Sequence, residues 1–153
     1  MSKIAWKTTT KFKGPEESPG FLLWQVSSEW RRQIESALTQ VDLTHPQFVL
    51  LASVGWLTRE GNMVSQAELA RHCMTDINMT SQVLRALEKK GLIERIQIEG
   101  NEKSKFPRVT SKGAKIIEKA LPIVETIDHT FFSALGKDTS SCLQILQKLI
   151  PKE

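Results

Sequence analysis

The sequence predicts a mainly α-helical chain that carries one small β-hairpin. Three observations lead there. Apolar residues recur at helical spacing through most of the chain, capping chemistry marks successive helix starts, and one stretch around Gly100-Asn101-Glu102 turns extended and β-branched. At 153 residues and 40% hydrophobic content the chain can bury one good core and is too short for two independent ones. Residues 1–17 read as a basic arm, and 18–153 as a single domain.

Each element has its own signal. Ser18-Pro19 supplies an N-cap with proline in the first turn, and Leu23, Val26, Trp30, Ile34, Leu38 and Val41 follow at spacings of three or four, so a long helix is expected over about 18–41. In LTHPQF, Thr44 and Gln47 form a capping box and Leu43 can staple onto Phe48. The second helix therefore starts near His45 and is expected to end near Gly61. VSQAEL repeats the device with Ser65, Glu68 and the Val64/Leu69 staple, opening a short helix to about Met74. Asp76 then caps a fourth helix with Met79, Val83, Leu84 and Leu87 on its buried face, and Gly91 is placed to take the left-handed conformation past its end.

LIERIQI and KFPRVT form the hairpin, with Gly100-Asn101-Glu102 as its turn. Pro107 cannot donate to a central ladder, so its part of the second strand belongs on an edge or at a bulge. A long helix resumes at Thr110 or Ser111 and carries Ile116, Ile117, Leu121, Val124, Ile127, Phe131 and Leu135. Pro122 should kink it and Gly136 end it, and a last helix holds Leu143, Leu146 and Leu149.

Charge and cysteine usage narrow the function. The net charge of +4 equals the basic surplus of the segment Arg71–Lys112 alone, which points to a polyanionic partner. No run approaches the roughly 18 uncharged residues of a membrane span, and no secretory signal opens the chain. Cys73 and Cys142 lie far apart at no metal spacing, which fits a reducing cytoplasm. Neither a phosphate-cradling glycine loop nor a ligand cluster nor a nucleophile motif is present, so no enzyme, cofactor or metal site is expected.

Helix, short turn, helix and hairpin in that order make a winged helix-turn-helix, whose second helix enters the DNA major groove while the hairpin follows the backbone. The helices at about 18–41 and 111–150 are too apolar to stand alone outside a DNA-binding unit of about 44–113, and a homodimer is the expected cover. On the reading helix, Asn78, Ser81, Gln82 and Arg85 align on the face opposite Val83 and Leu87. Asn and Gln pair with adenine, and Arg with guanine, on their major-groove edges. Ser65 and Gln66 open the preceding helix, whose exposed amides suit phosphate; Lys89, Lys103 and Lys105 add cations.

These residues also resemble a known family. LARHCMTDINMTSQVLRALEKKGLIER, Leu69 to Arg95, is similar to the helix-turn-helix of the MarR (multiple antibiotic resistance regulator) family, down to the Leu-Glu-x-x-Gly-Leu-Ile-x-Arg ending. LTHPQFVLL resembles that family's second-helix start, and VTSKG its Leu-Thr-x-x-Gly signature at the fifth. The resemblance implies a dimeric repressor on pseudo-palindromic operator DNA, released by a small-molecule effector or an oxidant. The family's ligands lie between the dimerising helices and the DNA-binding unit, which makes Trp24, Trp30, His45 and Trp56 candidates by neighbourhood. Its redox sensors use a cysteine near the first helix, and none stands there in this chain.

One departure falls in the wing, where Asn101 and Lys103 replace the family's Asp-x-Arg. Lysine is a hydrated point charge where arginine is a planar fork, so phosphate contact is expected there more than base reading. Loss of that carboxylate also removes a partner for Arg95. The competing reading is a winged-helix module that binds protein and no longer reads DNA.

Overall fold

The computed structural model describes residues 1–152, with side chains throughout except at 101–104. The chain forms two compact units, Met1–Gln33 and Ile34–Glu153. In the N-terminal unit a short helix α1 (Trp6–Thr9) and a 3-10 turn (Pro15–Glu17) precede helix α2 (Pro19–Leu38), whose last turn belongs to the larger unit. The Ser18 hydroxyl accepts from the Phe21 amide at 3.3 Å, the cap expected from Ser18-Pro19. Neither α1 nor the 3-10 turn has a signal in the hydrophobic pattern, because their residues are exposed on all sides.

In the larger unit α2 gives way at Leu38 to a 3-10 turn (Thr39–Val41), and the order is then α3 (His45–Leu57), α4 (Gln66–Cys73), α5 (Ile77–Lys89), β1 (Ile93–Ile98), β2 (Asn101–Val109), α6 (Ser111–Phe132), a 3-10 stretch (Ser133–Asp138) and α7 (Thr139–Leu149). Both capping boxes are present. The Thr44 and Ser65 hydroxyls accept from the amides of Gln47 and Glu68 at 3.2 and 3.1 Å, and those side chains return to the cap amides. Helix α3 ends at Leu57, earlier than Gly61, since Thr58 turns its hydroxyl onto the Val54 carbonyl at 2.7 Å and closes the last turn. Gly61 instead supplies a positive φ of 86° in the loop beyond.

Ile34, Leu38, Leu50, Leu51 and Val54 from α2 and α3 form the core with Leu69 of α4, Leu84 and Leu87 of α5 and Ile93 of β1, each at most 2% exposed. Full burial of each such side chain contributes about 1.5–3 kcal/mol. On α5 the structure corrects the sequence reading. Met79 and Val83 are only half-buried, and Thr80 is fully buried beside Leu84 and Leu87. Its hydroxyl donates to the Asp76 carbonyl at 2.8 Å and meets the Thr75 hydroxyl at 2.7 Å, so a polar residue locks the turn between α4 and α5. Replacing Thr80 by valine keeps the shape and removes both contacts. The expected cost is about 1–2 kcal/mol, read as a lower urea midpoint at unchanged slope, and an unchanged midpoint would show that the hydroxyl does not fasten this turn.

The hairpin pairs Ile93 with Val109, Arg95 with Pro107 and Gln97 with Lys105, and its irregularity falls between Gln97 and Ile98. Pro107 is therefore not at the bulge. It sits in a two-stranded sheet, where either strand is an edge. The turn residues are Glu99 and Gly100, with φ of +88° at Gly100, one position earlier than the polar cluster suggests. Thr110 caps α6, accepting from Gly113 at 3.0 Å, and the helix runs unbroken through Pro122. Gly136 lies inside the 3-10 stretch at φ 53°, ψ −123°, where helical geometry stops.

Candidate nucleic-acid interface

Helix α5 owes its position to contacts at both ends. At its start Asp76 accepts from the Met79 amide at 2.8 Å, which leaves no acidic side chain in the exposed first turn. Past its end Gly91 has φ of +74°, and the Leu92 amide returns to the Leu87 carbonyl at 3.0 Å. Lys90 reaches back to α3, donating to the Asp42 carbonyl at 2.5 Å and to Gln47 Oε1 at 2.9 Å. From the other side Lys112 donates to the Lys90 carbonyl at 2.9 Å, and the Thr110 hydroxyl to the Gly91 carbonyl at 2.6 Å. The end of the helix is thus tied to the start of α3 by the Lys90 ammonium and to the start of α6 by the carbonyls of Lys90 and Gly91.

Along the opposite face Asn78, Gln82, Arg85 and Lys89 are exposed and recur every three or four residues, one stripe of hydrogen-bonding and cationic groups. Ser81 is half-buried, and its hydroxyl accepts from Arg85 Nη1 at 2.7 Å. Ser81 therefore aims the Arg85 guanidinium. The start of α4 is half-buried at Ser65 and Gln66. Ser65 is engaged in its capping box, and Glu68 accepts from the Ser65 amide at 2.7 Å, a bond that lowers the Glu68 pKa. That carboxylate leaves the amides of Gln66 and Ala67 as the groups able to meet phosphate there.

The wing sorts its cations. Arg108 is paired with Glu94 through its Nε at 2.9 Å, while Lys105 is exposed. Among the described residues Arg95 has Nε and Nη2 buried with no hydrogen-bond partner, and it pairs with the Glu88 carboxylate at 3.9 Å. The side chains of Asn101 and Lys103 lie outside the described residues. Of the basic surplus, Arg85, Lys89 and Lys105 face solvent, whereas Lys90 and Arg108 serve internal contacts.

The aromatic and histidine candidates are divided between the two units. Trp24 is 69% exposed and Trp30 half-buried, both within the N-terminal unit. His45 is buried in the first turn of α3, and Trp56 near its end is 59% exposed. Trp56 instead joins residues that sequence reasoning missed. Arg59 stacks on its ring at 3.6 Å and donates to its carbonyl at 2.6 Å, and with Ser53, Gly55, His72, Ile117 and Leu121 they line a pocket of about 420 Å³. The Trp56-x-x-Arg59 spacing was the available signal. Cys73, half-buried nearby, has its thiol pKa raised by burial, against a weaker lowering from the Ser53 hydrogen bond, so it is a poor nucleophile at neutral pH.

Comparisons with known proteins agree with this geometry. A sequence profile of the MarR family matches residues 43–105, from just before α3 into the second strand of the wing. The HTH-type transcriptional regulator YdcH of Bacillus subtilis is 44% identical over 144 residues, 94% of this chain and 97% of that one. The HTH-type transcriptional repressor Rv2887 of Mycobacterium tuberculosis is 30% identical over 116 residues, 76% of this chain and 81% of that one. Its crystal structure with p-aminosalicylic acid superposes with a TM-score of 0.68, covering 86% of this chain and 98% of that one. A cysteine-to-serine mutant of Escherichia coli MarR in complex with operator DNA is 25% identical with a TM-score of 0.75, covering 86% and 93%. With its capped helix-turn-helix, its two-stranded wing and relatives matched along nearly its whole length, the chain belongs to the MarR family of winged helix-turn-helix transcriptional regulators.

Proposed function

We propose that this chain is a homodimeric, cytoplasmic repressor that binds double-stranded, pseudo-palindromic DNA and is released by a small-molecule effector. The observation that carries DNA reading is the exposed stripe Asn78, Gln82, Arg85 and Lys89 on a helix whose carbonyl end is fastened to its neighbours. A base-reading helix needs such a fixed base, because a bidentate contact is lost when the helix moves by an ångström. Relatives named as repressors, and a family member solved on operator DNA, support the same reading. Gln66 at the start of α4 and Lys105, with Lys103, on the wing are the proposed phosphate contacts, while Ser65 shapes the cap behind them.

Dimerisation is supported by apolar side chains that the single chain leaves uncovered. Leu22, Leu23, Trp24 and Val26 on α2 and Leu143, Ile145, Leu146 and Leu149 on α7 are each at least 40% exposed. A second copy offers the same helices in return. The effector site we favour is the Trp56/Arg59 pocket, where a stacked guanidinium and His72 suit a flat carboxylate. Rv2887 has been solved with p-aminosalicylic acid, a ligand of that chemistry. Among the described residues no helix is long and apolar enough to cross a membrane.

Fluorescence anisotropy with labelled duplexes from genomic fragments selected by the protein tests the central reading. Several phosphate contacts should make the logarithm of affinity fall linearly with the logarithm of salt, by about 0.9 per contact. Selected fragments should bind at least about 1,000-fold more tightly than random duplex. Equal, weak binding to both with a shallow slope would leave the protein-interaction reading in its place.

A further inference from the structure

The N-terminal arm is more than a run of lysines. Within the unit Met1–Gln33, the Thr10 amide closes α1 on the Trp6 carbonyl at 3.1 Å, and the Thr10 hydroxyl accepts from the Phe12 amide at 3.2 Å. The Lys13 amide donates to Glu17 Oε2 at 3.1 Å, and Ser18 caps the helix that carries Phe21. These local bonds fold the arm around an open cleft of about 680 Å³, lined by the partly exposed rings of Trp6, Phe12 and Phe21 and by Lys7, Lys11 and Lys13. That volume is in the range of small-molecule sites, and rings with a few cations are the lining such sites use. It lies in a different part of the chain from the Trp56/Arg59 pocket and owes nothing to the DNA-reading face.

The charges select the occupant. Among the described residues none of the three lysines has an ion-pair partner, and no carboxylate lines the cavity. Glu17 is turned to the Lys13 amide and the Glu16 carboxylate folds over Gly14, so both sit against lining residues and the three ammonium groups outnumber them. A neutral apolar guest would meet the rings and gain nothing from the ammonium groups, which water already solvates. The arm of a second copy carries the same positive surplus, so its charge does not complement the lining. A flat apolar body that carries negative charge answers both parts of the lining, through contact with the rings and with the ammonium groups.

We propose that the arm is a binding site for an organic anion with an aromatic body, separate from the effector pocket. The test uses the full-length protein and anilinonaphthalene sulfonate as an aromatic anion, with N-phenylnaphthylamine as its uncharged counterpart, each titrated by fluorescence. A single saturable site for the sulfonate is expected. Its affinity should fall by about tenfold in Lys7→Gln/Lys11→Gln/Lys13→Gln and should fall in Trp6→Leu, the charge loss corresponding to three exposed ion contacts. The uncharged dye should bind weakly and equally to the parent and the lysine variant. Both variants alter exposed residues, and unchanged melting curves confirm that each is folded. Three results would overturn the proposal: sulfonate affinity that survives the lysine changes, sulfonate affinity lost instead in Arg59→Gln, or displacement of the dye by duplex DNA of any sequence.

Discussion

Gly113→Ala is expected to destabilise the protein by roughly 1–3 kcal/mol, the usual cost of overpacking, although it lies inside a helix where alanine is intrinsically favoured by about 1 kcal/mol. The reason is a close crossing of two backbones. A Cβ at Gly113 would fall far inside contact distance of the Leu92 carbonyl oxygen, and 3.0 Å from the Leu92 carbonyl carbon and Val109 Cγ1. Leu92 cannot withdraw freely. Its carbonyl accepts from Thr110 at 3.1 Å, its neighbour Ile93 begins the wing, and the pairing of Ile93 with Val109 fixes the register of the hairpin. Gly20, in the first turn of α2, has nothing within 4 Å of the same added atom. Gly20→Ala should therefore be neutral or stabilising by a few tenths of a kcal/mol. Thermal melts of the two variants side by side isolate packing from propensity. Gly113→Ala should lower Tm by at least about 2–4 °C, and a rise in both would refute the crossing as the reason for this glycine.

The same glycine shows what the sequence could and could not convey. Its place in VTSKG marks it by resemblance, but the reason for it is a contact across the sequence with Leu92, which no local pattern holds. Where the determinant was local, the sequence was legible. T-x-x-Q before α3, S-x-x-E before α4 and Asp76 before α5 each name both partners of a bond within one turn, and all three caps form. Thr80 was missed because a threonine in a hydrophobic pattern counts as polar, while its hydroxyl is satisfied by Asp76 and Thr75 and so permits complete burial. The candidate site divides in the same way. The exposed stripe on α5 follows from helical spacing, whereas the turning of Lys90 toward Asp42 and Gln47, and of Arg108 toward Glu94, depends on tertiary neighbours. Trp24 and Trp56, which an apolar stripe would place in a core, are exposed in the single chain. Helical spacing shows that a face is apolar, and not whether its own chain or a second copy covers it.

Arg85→Ala and Gln82→Ala should each weaken binding to a selected operator by about 1–3 kcal/mol, roughly 5- to 150-fold, while changing binding to random duplex much less. The two side chains are exposed on the outer stripe of α5, and the guanidinium of Arg85 is held at 2.7 Å by the Ser81 hydroxyl. Preorganisation of that kind predicts a graded series. Ser81→Ala keeps the arginine but frees its side chain, so it should lose less than Arg85→Ala, and the double variant should lose little more than Arg85→Ala alone because the two act as one unit. Lys89→Ala is expected to behave differently. An exposed ammonium on phosphate weakens all sequences alike and lowers the salt slope by about 1. Lys90→Met provides the contrast, since its ammonium is bound to Asp42 and Gln47. It should lower affinity through a loosened helix end and leave the salt slope unchanged. Selection of bound sequences by the Gln82 and Arg85 variants, read together with salt titrations of the five single variants, separates base reading from phosphate contact and both from positioning. If both variants select the parent's sequence with the parent's preference, α5 does not read bases through these residues. A Lys90→Met slope reduced as far as that of Lys89→Ala would mean that its ammonium leaves α3 for phosphate when DNA binds.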